Sequence, residues 1–533
     1  MSSTNKLPNI VFLVLDTLRS DRLGCYGYSR DTSPNLDTFA TQATLFQNAI
    51  SPAQWTIPSH AAMFTGEPPS THLTLQSSDV LPACFTTLAQ HLGAIGYRRT
   101  GFCNNPLVGL INNDLPRGFE SFYNYCGTVK SPAPKPTRRE SAPLISAWQK
   151  SVRAARNLVA PIQALFARSN RIFQAALNPL FVPLWSRFAR FKGDNPASIR
   201  DTTRFVRENL MGGSEQPHFL FVNLMEPHLP YSPPDSFVER LAPGVHNDPR
   251  ARDYMHDFNR HALHWITPAA EPLSELAATT LSDMYDAEVA YQDHMMGELF
   301  AALDQPECRE HTMVIIAADH GEMLGEHQFV GHGFGVYQEL IHVPLLIRLP
   351  GQTQGQTRSE LCSTRRLFHT VLDVAGIPTV ETHYGRTVDV RDQSLLNERA
   401  QDAQPLSPIV CEAYAPEFGL TAVQNHKPAL LETLACAQTH WAILEDAYKL
   451  IRIEDVRDEL YRWPDDPLEE CALKLNGSKP RSQHDVQAQR LRQHLGAFLE
   501  IARQHNPGSG STQKANLENE LVRERLRGLG YIE

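Results

Sequence analysis

Two stretches constrain this chain more than any others. NIVFLVLD (9–16) and TMVIIAADHGE (312–322) are short apolar runs rich in β-branched residues, and each ends in acidic chemistry. Apolar runs without polar alternation describe strands buried on both faces, the pattern of a parallel sheet. HFLFVNLMEPHLPY (218–231) repeats the plan, an apolar strand followed by a polar loop. Between these runs, helical spacing covers SPNLDTFATQATLF (33–46), which opens on Ser-Pro, and LSDMYDAEVAYQDHMMGELFAAL (281–303). Strands alternating with helices predict an α/β fold with a mainly parallel sheet. In such sheets chemistry gathers at the carboxyl ends of the strands. Asp16, His228 and Asp319 are all delivered to that edge.

Composition narrows the function. A hydrophobic share of 42% and a charged share of 20% over 533 residues describe an ordinary globular protein. The net charge of −10 argues against nucleic acid as a partner. The apolar run at the N-terminus is short and ends in an acid, so it reads as a buried strand rather than a signal peptide. No stretch reaches the roughly 18 to 20 apolar residues of a membrane span. The nine cysteines are scattered and never spaced as CxxC, which predicts reduced thiols and a cytoplasmic location.

Residues 130–192 differ from the rest, with twelve Lys or Arg against one acid, Glu140. The segment carries about +11 and leaves the remainder near −21. A Pro-rich entry gives way to apolar residues at helical spacing with Arg on the opposite face. This is either an inserted helical hairpin packed on the body, or an amphipathic contact for a membrane or an anionic, lipid-like substrate. From about 406 the texture becomes that of a small antiparallel sheet with a closing helix, giving a C-terminal α+β subdomain. The organisation expected is a catalytic domain over 1–405 carrying the insertion, a subdomain over 406–505, and a Gly/Ser-rich tail with a short helix over 506–533.

The chemical parts are a carboxylate on one strand end, Asp16, and an Asp-His pair on another, Asp319-His320. Together they form a plausible divalent metal site. A Thr-x-Pro-Ser turn, WTIPSH (55–60), accompanies them. Coordination of the Thr56 hydroxyl would lower its pKa and make it a nucleophile.

Five segments carry a resemblance to a known family: NIVFLVLDTLRSDRLGCYGY, WTIPSHAAMFTG, MEPHLPY, AADHGEMLGEHQFVGHGFGVYQELIHVPLLIRLPG, and AYKLIR with DELYRWPDDPLEE. In order and spacing they resemble the sulfatase family of the alkaline phosphatase superfamily, over nearly the whole chain apart from the basic insert and the tail. The resemblance implies the alkaline-phosphatase-like sheet sandwiched by helices. It also implies that Asp16, Asp319 and His320 ligate one divalent metal ion, with Thr56 as nucleophile and further ligand. His60 takes the position of an Arg that holds the turn or the transferring group. His228 would contact substrate or protonate the leaving group, His332 replaces an anion-binding Lys, and Asn105 falls near another such Lys. Glu322, Glu326 and His327 are expected to support this loop, and Asp21 to order the first loop through Arg19 or Arg22.

The departures from the family pattern point one way. Sulfatases convert a Cys or Ser in the turn to formylglycine, and threonine cannot become that aldehyde because its β-carbon carries a methyl group. The family's usual first-strand acid pair is Asp16-Thr17 here, and an imidazole ligand favours Mn²⁺ or Zn²⁺ over Ca²⁺ or Mg²⁺. These changes resemble the phosphorus-handling branches of the superfamily. The expected function is therefore metal-dependent hydrolysis or transfer of a phosphate ester or diester. The alternatives are sulfate-ester hydrolysis by unmodified Thr56, and a non-catalytic protein that binds membranes or a partner.

Overall fold

The structure is a computed structural model and describes residues 6–126, 192–211, 216–397, 408–475 and 482–506. The basic insertion and the tail lie outside the described residues, apart from Lys192 and Asn506. β1 (Asn9–Leu15) shows why the sheet is central. Alternation sends Ile10, Phe12 and Val14 into one core and Val11, Leu13 and Leu15 into another, so the strand needs cover on both sides.

β1 lies in an eight-stranded sheet with β2 (Thr44–Ile50), β3 (Arg98–Cys103), β4 (Ser121–Asn124), β5 (His218–Leu224), β6 (Thr312–Ala317), β9 (Leu345–Arg348) and β10 (Gln356–Ser363). The order is β10-β2-β9-β6-β1-β5-β3-β4. Every pairing is parallel except those of β9, which runs against both β2 and β6. The helices Asn195–Asn209 and Glu275–Leu303 cover one face through residues such as Val206, Leu281 and Leu299. Thr56–Thr65, Leu88–Ala94 and Leu367–Val374 cover the other, through Phe64, Leu92 and Val371.

One element is shorter than its spacing predicts. Helix forms only over Pro34–Ala40, and the chain re-enters the sheet at Thr44. Leu45 and Phe46 fit helical spacing, but beside β-branched Thr44 an aromatic Phe46 also suits a strand, and pairing with β9 and β10 decides it.

After β6 the chain forms a small ribbon, β7 (Met323–Leu324) with β8 (Val330–Gly331). Further on come a hairpin, β11 (Thr379–Glu381) with β12 (Thr387–Asp389), and a four-stranded antiparallel sheet. The latter comprises β13 (Ile409–Ala413), β14 (His440–Glu445), β15 (Tyr448–Ile453) and β16 (Arg457–Tyr461). One of its faces packs on the closing helix Gln483–His505 through Ile443, Leu450 and Leu491. Its other face packs Ala442, Leu444 and Ile451 on Met323, Phe334 and Leu340 of the segment following β6. That segment is thereby clamped between the two sheets. Among the described residues no helix is long and apolar enough to cross a membrane.

A buried ion pair ties the clamp together. Lys449 Nζ lies 2.7 Å from Glu469 Oε1, both side chains are fully buried, and Glu469 Oε2 accepts from the Gln338 amide at 3.0 Å. Glu469→Ala leaves an uncompensated buried ammonium, and is expected to cost about 3–5 kcal/mol in denaturant unfolding. A loss under about 1 kcal/mol would show that Lys449 finds another partner.

Candidate active site

The site forms where adjacent strands end. Asp16 follows β1, Asn105 follows β3, His228 follows β5, and Asp319-His320 follows β6. Thr56 opens the helix Thr56–Thr65, which carries no acid in its first turn, so its positive dipole end faces the carboxylates. Asp16, Thr56, His60, Asn105, Asp319 and His320 are fully buried, and His228 and His332 nearly so.

Hydrogen bonds set the tautomer of His320. Its Nδ1–H donates to the Gly321 carbonyl at 2.9 Å, leaving a lone pair on Nε2. Nε2 lies 3.3 Å from Thr56 Oγ1, 3.5 Å from Asp319 Oδ2 and 3.8 Å from Asp16 Oδ1. Each carboxylate has one oxygen held and one turned inward. Asp16 Oδ2 accepts from Asn105 Nδ2 at 2.5 Å, and Asp319 Oδ1 accepts from the His320 amide at 3.0 Å and the Thr17 amide at 3.4 Å. Asp16 Oδ1 and Asp319 Oδ2 have no hydrogen-bond donor. A cation bound at about 2.0–2.2 Å separates its ligands by roughly 3–3.5 Å, close to the spacings found. The residues therefore fit a divalent metal ion. Burial, reinforced by Asp319, raises the Asp16 carboxyl well above its usual range, and burial pushes that of Asp319 up to about 7. A second His/Asp group, Asp257, His261 and His264, is substantially exposed and lacks this enforced desolvation.

The turn that carries Thr56 is braced from behind. His60 Nδ1–H donates to the Thr56 carbonyl at 2.9 Å and lies 3.4 Å from Asp319 Oδ2. Its ring stands edge-on to Phe64 and Phe221, and burial pushes its pKa down to about 3. Of the two roles expected for His60, this geometry serves holding the turn. Asn105 Nδ2 lies 3.4 Å from Thr56 Oγ1, so Asn105 bridges Thr56 and Asp16. Ser51 and Ser59 both donate to the Asp319 carbonyl. Thr17 adopts φ of 61°, a left-handed conformation costing about 1–3 kcal/mol for a β-branched residue. Tyr285 Oη holds it by donating to the Thr17 carbonyl at 2.7 Å.

His332 and His228 stand beside His320, with ring centroids 4.6 Å between His320 and His332 and 4.9 Å between His228 and His332. His332 Nδ1 is 2.8 Å from Glu322 Oε1, and His228 Nδ1–H donates to the Leu229 carbonyl at 2.6 Å. Burial, with the neighbouring imidazoles, lowers His228 to about 3 and His332 well below its ordinary value, while burial pushes Glu322 up to about 7. Glu322 thus orients His332, and Glu326 pairs with Arg19 at 2.7 Å. His327 instead stacks on Tyr337 away from the ligand cluster. Asp21 grips Arg19 through two hydrogen bonds, of 2.9 and 2.7 Å, and so orders the first loop.

Two features escaped sequence reasoning. Tyr285 reaches the site from the middle of a long helix, with no local signal. Lys192 closes a buried triad with Glu226 at 2.6 Å and Glu288 at 2.7 Å, although in sequence it is the last cation of the basic insertion. The glutamates sit in PHxPY-adjacent and helical contexts, and only the fold brings them to one ammonium.

Comparisons with known proteins agree with this architecture. The chain is 24% identical over 363 residues to the uncharacterized sulfatase YidJ of Escherichia coli (strain K12), covering 66% of this chain and 64% of that protein. It is 24% identical over 375 residues to iduronate 2-sulfatase of Mus musculus, covering 66% and 61%. It thus spans just under two thirds of the length of these curated relatives. Among solved structures, phosphonate monoester hydrolase of Agrobacterium radiobacter superposes with a TM-score of 0.59 at 19% identity, over 93% of this chain and 96% of that one. A putative sulfatase from Bacteroides thetaiotaomicron gives 0.60 at 18% identity, over 96% of both chains. The family model described as Sulfatase matches residues 8–377, most of the chain and all of the residues just described, and the chain belongs to the sulfatase family.

Proposed function

We propose that this chain cleaves a phosphate ester or diester, with Thr56 Oγ1 as the nucleophile. One observation carries the reading. A hydroxyl that cannot be converted to formylglycine heads its helix and lies within 3.4 Å of both His320 Nε2 and Asn105 Nδ2, inside a buried Asp/Asp/His cluster. Sulfatase family members bind a divalent metal ion in the active site, and Asp16, Asp319 and His320 are the residues that would hold it here, with Thr56 Oγ1 beside them. When bound, such an ion would lower the pKa of the hydroxyl and offset negative charge developing on the transferred group.

The chain's own residues account for the rest. His60 fixes the Thr56 carbonyl and thereby the turn, while the β-branched side chain limits Oγ1 to few rotamers. Oγ1 gives up its proton to solvent and attacks phosphorus as the bond to the leaving oxygen breaks, giving a phosphothreonine and a leaving group that takes up a proton. Water or an acceptor alcohol then attacks phosphorus, the bond to Oγ1 breaks, and Thr56 regains a proton. Burial keeps His228 and His332 neutral in the free site, and an anionic ester beside them favours their protonation, which equips His332 to protonate the leaving oxygen. The fold likeness to a phosphonate monoester hydrolase supports phosphorus as the reacting centre. All nine cysteines are free thiols, which suits a cytoplasmic setting.

A second reading, hydrolysis of a sulfate ester by unmodified Thr56, draws on the sulfatase relatives. A panel of matched aryl sulfate, phosphate monoester, phosphodiester and phosphonate substrates separates the two, and turnover of the sulfate alone would overturn the phosphorus reading. Thr56→Ala is expected to lower turnover by about 10⁴-fold or more while leaving metal content and Tm nearly unchanged, and full activity would sink the assignment. His332→Ala is expected to slow alkyl leaving groups by about 10²–10⁴-fold and 4-nitrophenoxide far less, so equal losses for both would argue against an acid role. Metal affinity, measured by calorimetry with Mn²⁺ or Zn²⁺, should rise with pH through about 7, where Asp319 gives up its proton. Asp16→Asn should weaken binding at every pH, and an affinity that ignores both pH and Asp16 would place the metal elsewhere.

A further inference from the structure

The nucleophile helix ends at Thr65, and beyond it lies a cavity of 490 Å³ between the catalytic core and the closing helix Gln483–His505. Nine residues of helix, roughly 14 Å, separate Thr56 from this end, so the cavity is distinct from the active site. Gly66 forms part of its wall, with a Cβ there placed 2.8 Å from both Phe368 and His369.

The inner wall holds an electrostatic anomaly. Arg366 is 4% exposed, and its Nε and Nη1 find no hydrogen-bond partner. No carboxylate among the described residues pairs with it. Its neighbour Arg365 is committed to capping the nucleophile helix, donating to the Gly66 carbonyl at 2.8 Å. Ser363 Oγ and His369 Nδ1, both buried on the same wall, also lack partners. The helical turn Thr364–Arg366 runs directly into the helix Leu367–Val374, so the positive dipole end of the joined segment lies at Ser363, with no side-chain cap and no acid in the first turn. Burial, with repulsion from Arg365, pulls the Arg366 pKa down to about 10. Glu67 also lines the cavity, where it faces Arg365, and the exposed Glu381 and Arg386 line it as well. A buried cation with open donors is costly unless an anion satisfies it.

We infer that this cavity binds a small organic oxyanion. Arg366, Ser363 and the helix N-terminus receive the phosphate or carboxylate group, and Phe85, Phe368 and Phe498 line the space for an apolar or aromatic body. The volume suits a small molecule rather than a chain segment.

Calorimetry on the full-length protein, with inorganic phosphate and benzoate as probes, tests the site. Saturable binding of at least one probe is expected, weakened tenfold or more by Arg366→Gln and severalfold by Ser363→Ala, and unmoved by Asp16→Asn. Tighter phosphate binding identifies a phosphorylated ligand, and tighter benzoate binding a carboxylate. In probe-free buffer Arg366→Gln should hold or raise Tm, because it removes an unpaired charge. Binding that ignores both Arg366 and Ser363, or no binding of either probe, overturns the inference. So does a variant Arg366→Gln that melts several degrees lower or does not fold, since Arg366 would then already be satisfied within the protein.

Discussion

Asp16 and Asp319 end two strands, β1 and β6, that lie side by side, and burying both carboxylates at that edge is the arrangement on which the rest of the site depends. Two anions in a desolvated space repel each other and lose their hydration, a cost that only hydrogen bonds and a counter-charge offset. The surrounding groups supply the first. Asn105 takes one oxygen of Asp16, backbone amides take one of Asp319, and Ser51 and Ser59 hold the Asp319 carbonyl. His320 faces the two remaining oxygens with its lone pair, which gives a cation a third donor rather than a proton. The left-handed turn at Thr17 follows from the same demand, since it directs the Thr17 amide back toward Asp319.

The pieces that position this edge come from distant parts of the chain. Tyr285 reaches from the long helix to the loop after β1, and the C-terminal sheet presses on the segment after β6, which carries Glu322 and His332. The helix that Thr56 opens rests on Phe221 of β5 through Phe64, while His60 links it to Asp319. Geometry near the reacting atoms is therefore held by packing over the whole domain, in keeping with the precision such sites require.

Much of this was legible in the sequence, for a physical reason. β1, β5 and β6 are buried on both faces, so their apolar runs are unambiguous, and the polar residue that ends each run must lie at the sheet edge. Asp16, Asp319 and His320 were readable on that ground alone. Thr56 stood out only as part of a Thr-x-Pro-Ser turn, which has no periodicity, and the resemblance gave that turn its specific meaning. Asn105 was located only loosely, since an Asn-Pro step reads first as a helix cap, which it also is: its Oδ1 accepts from the Leu107 amide. β2 was hidden because apolar residues at 45 and 46 satisfy two periods at once. Lys192 with Glu226 and Glu288, and the unpaired Arg366, are long-range charge relationships that leave no local pattern.

The neck of the basic insertion has a consequence for how this protein can vary. β4 ends at Asn124, and the Asp194 amide donates to the Tyr125 carbonyl at 3.1 Å, so the described chain on either side of this segment meets at one place. Lys192, anchored between Glu226 and Glu288, fastens the returning end. Among the described residues β4 is an edge strand, so the described strand order is complete without the segment between these two points. Closing a longer excursion there costs little, about 0.6 kcal/mol for each doubling of length. The position is a socket beside the carboxyl edge, where descendants of this chain can lengthen, shorten or replace the inserted segment without renegotiating the sheet that holds the site.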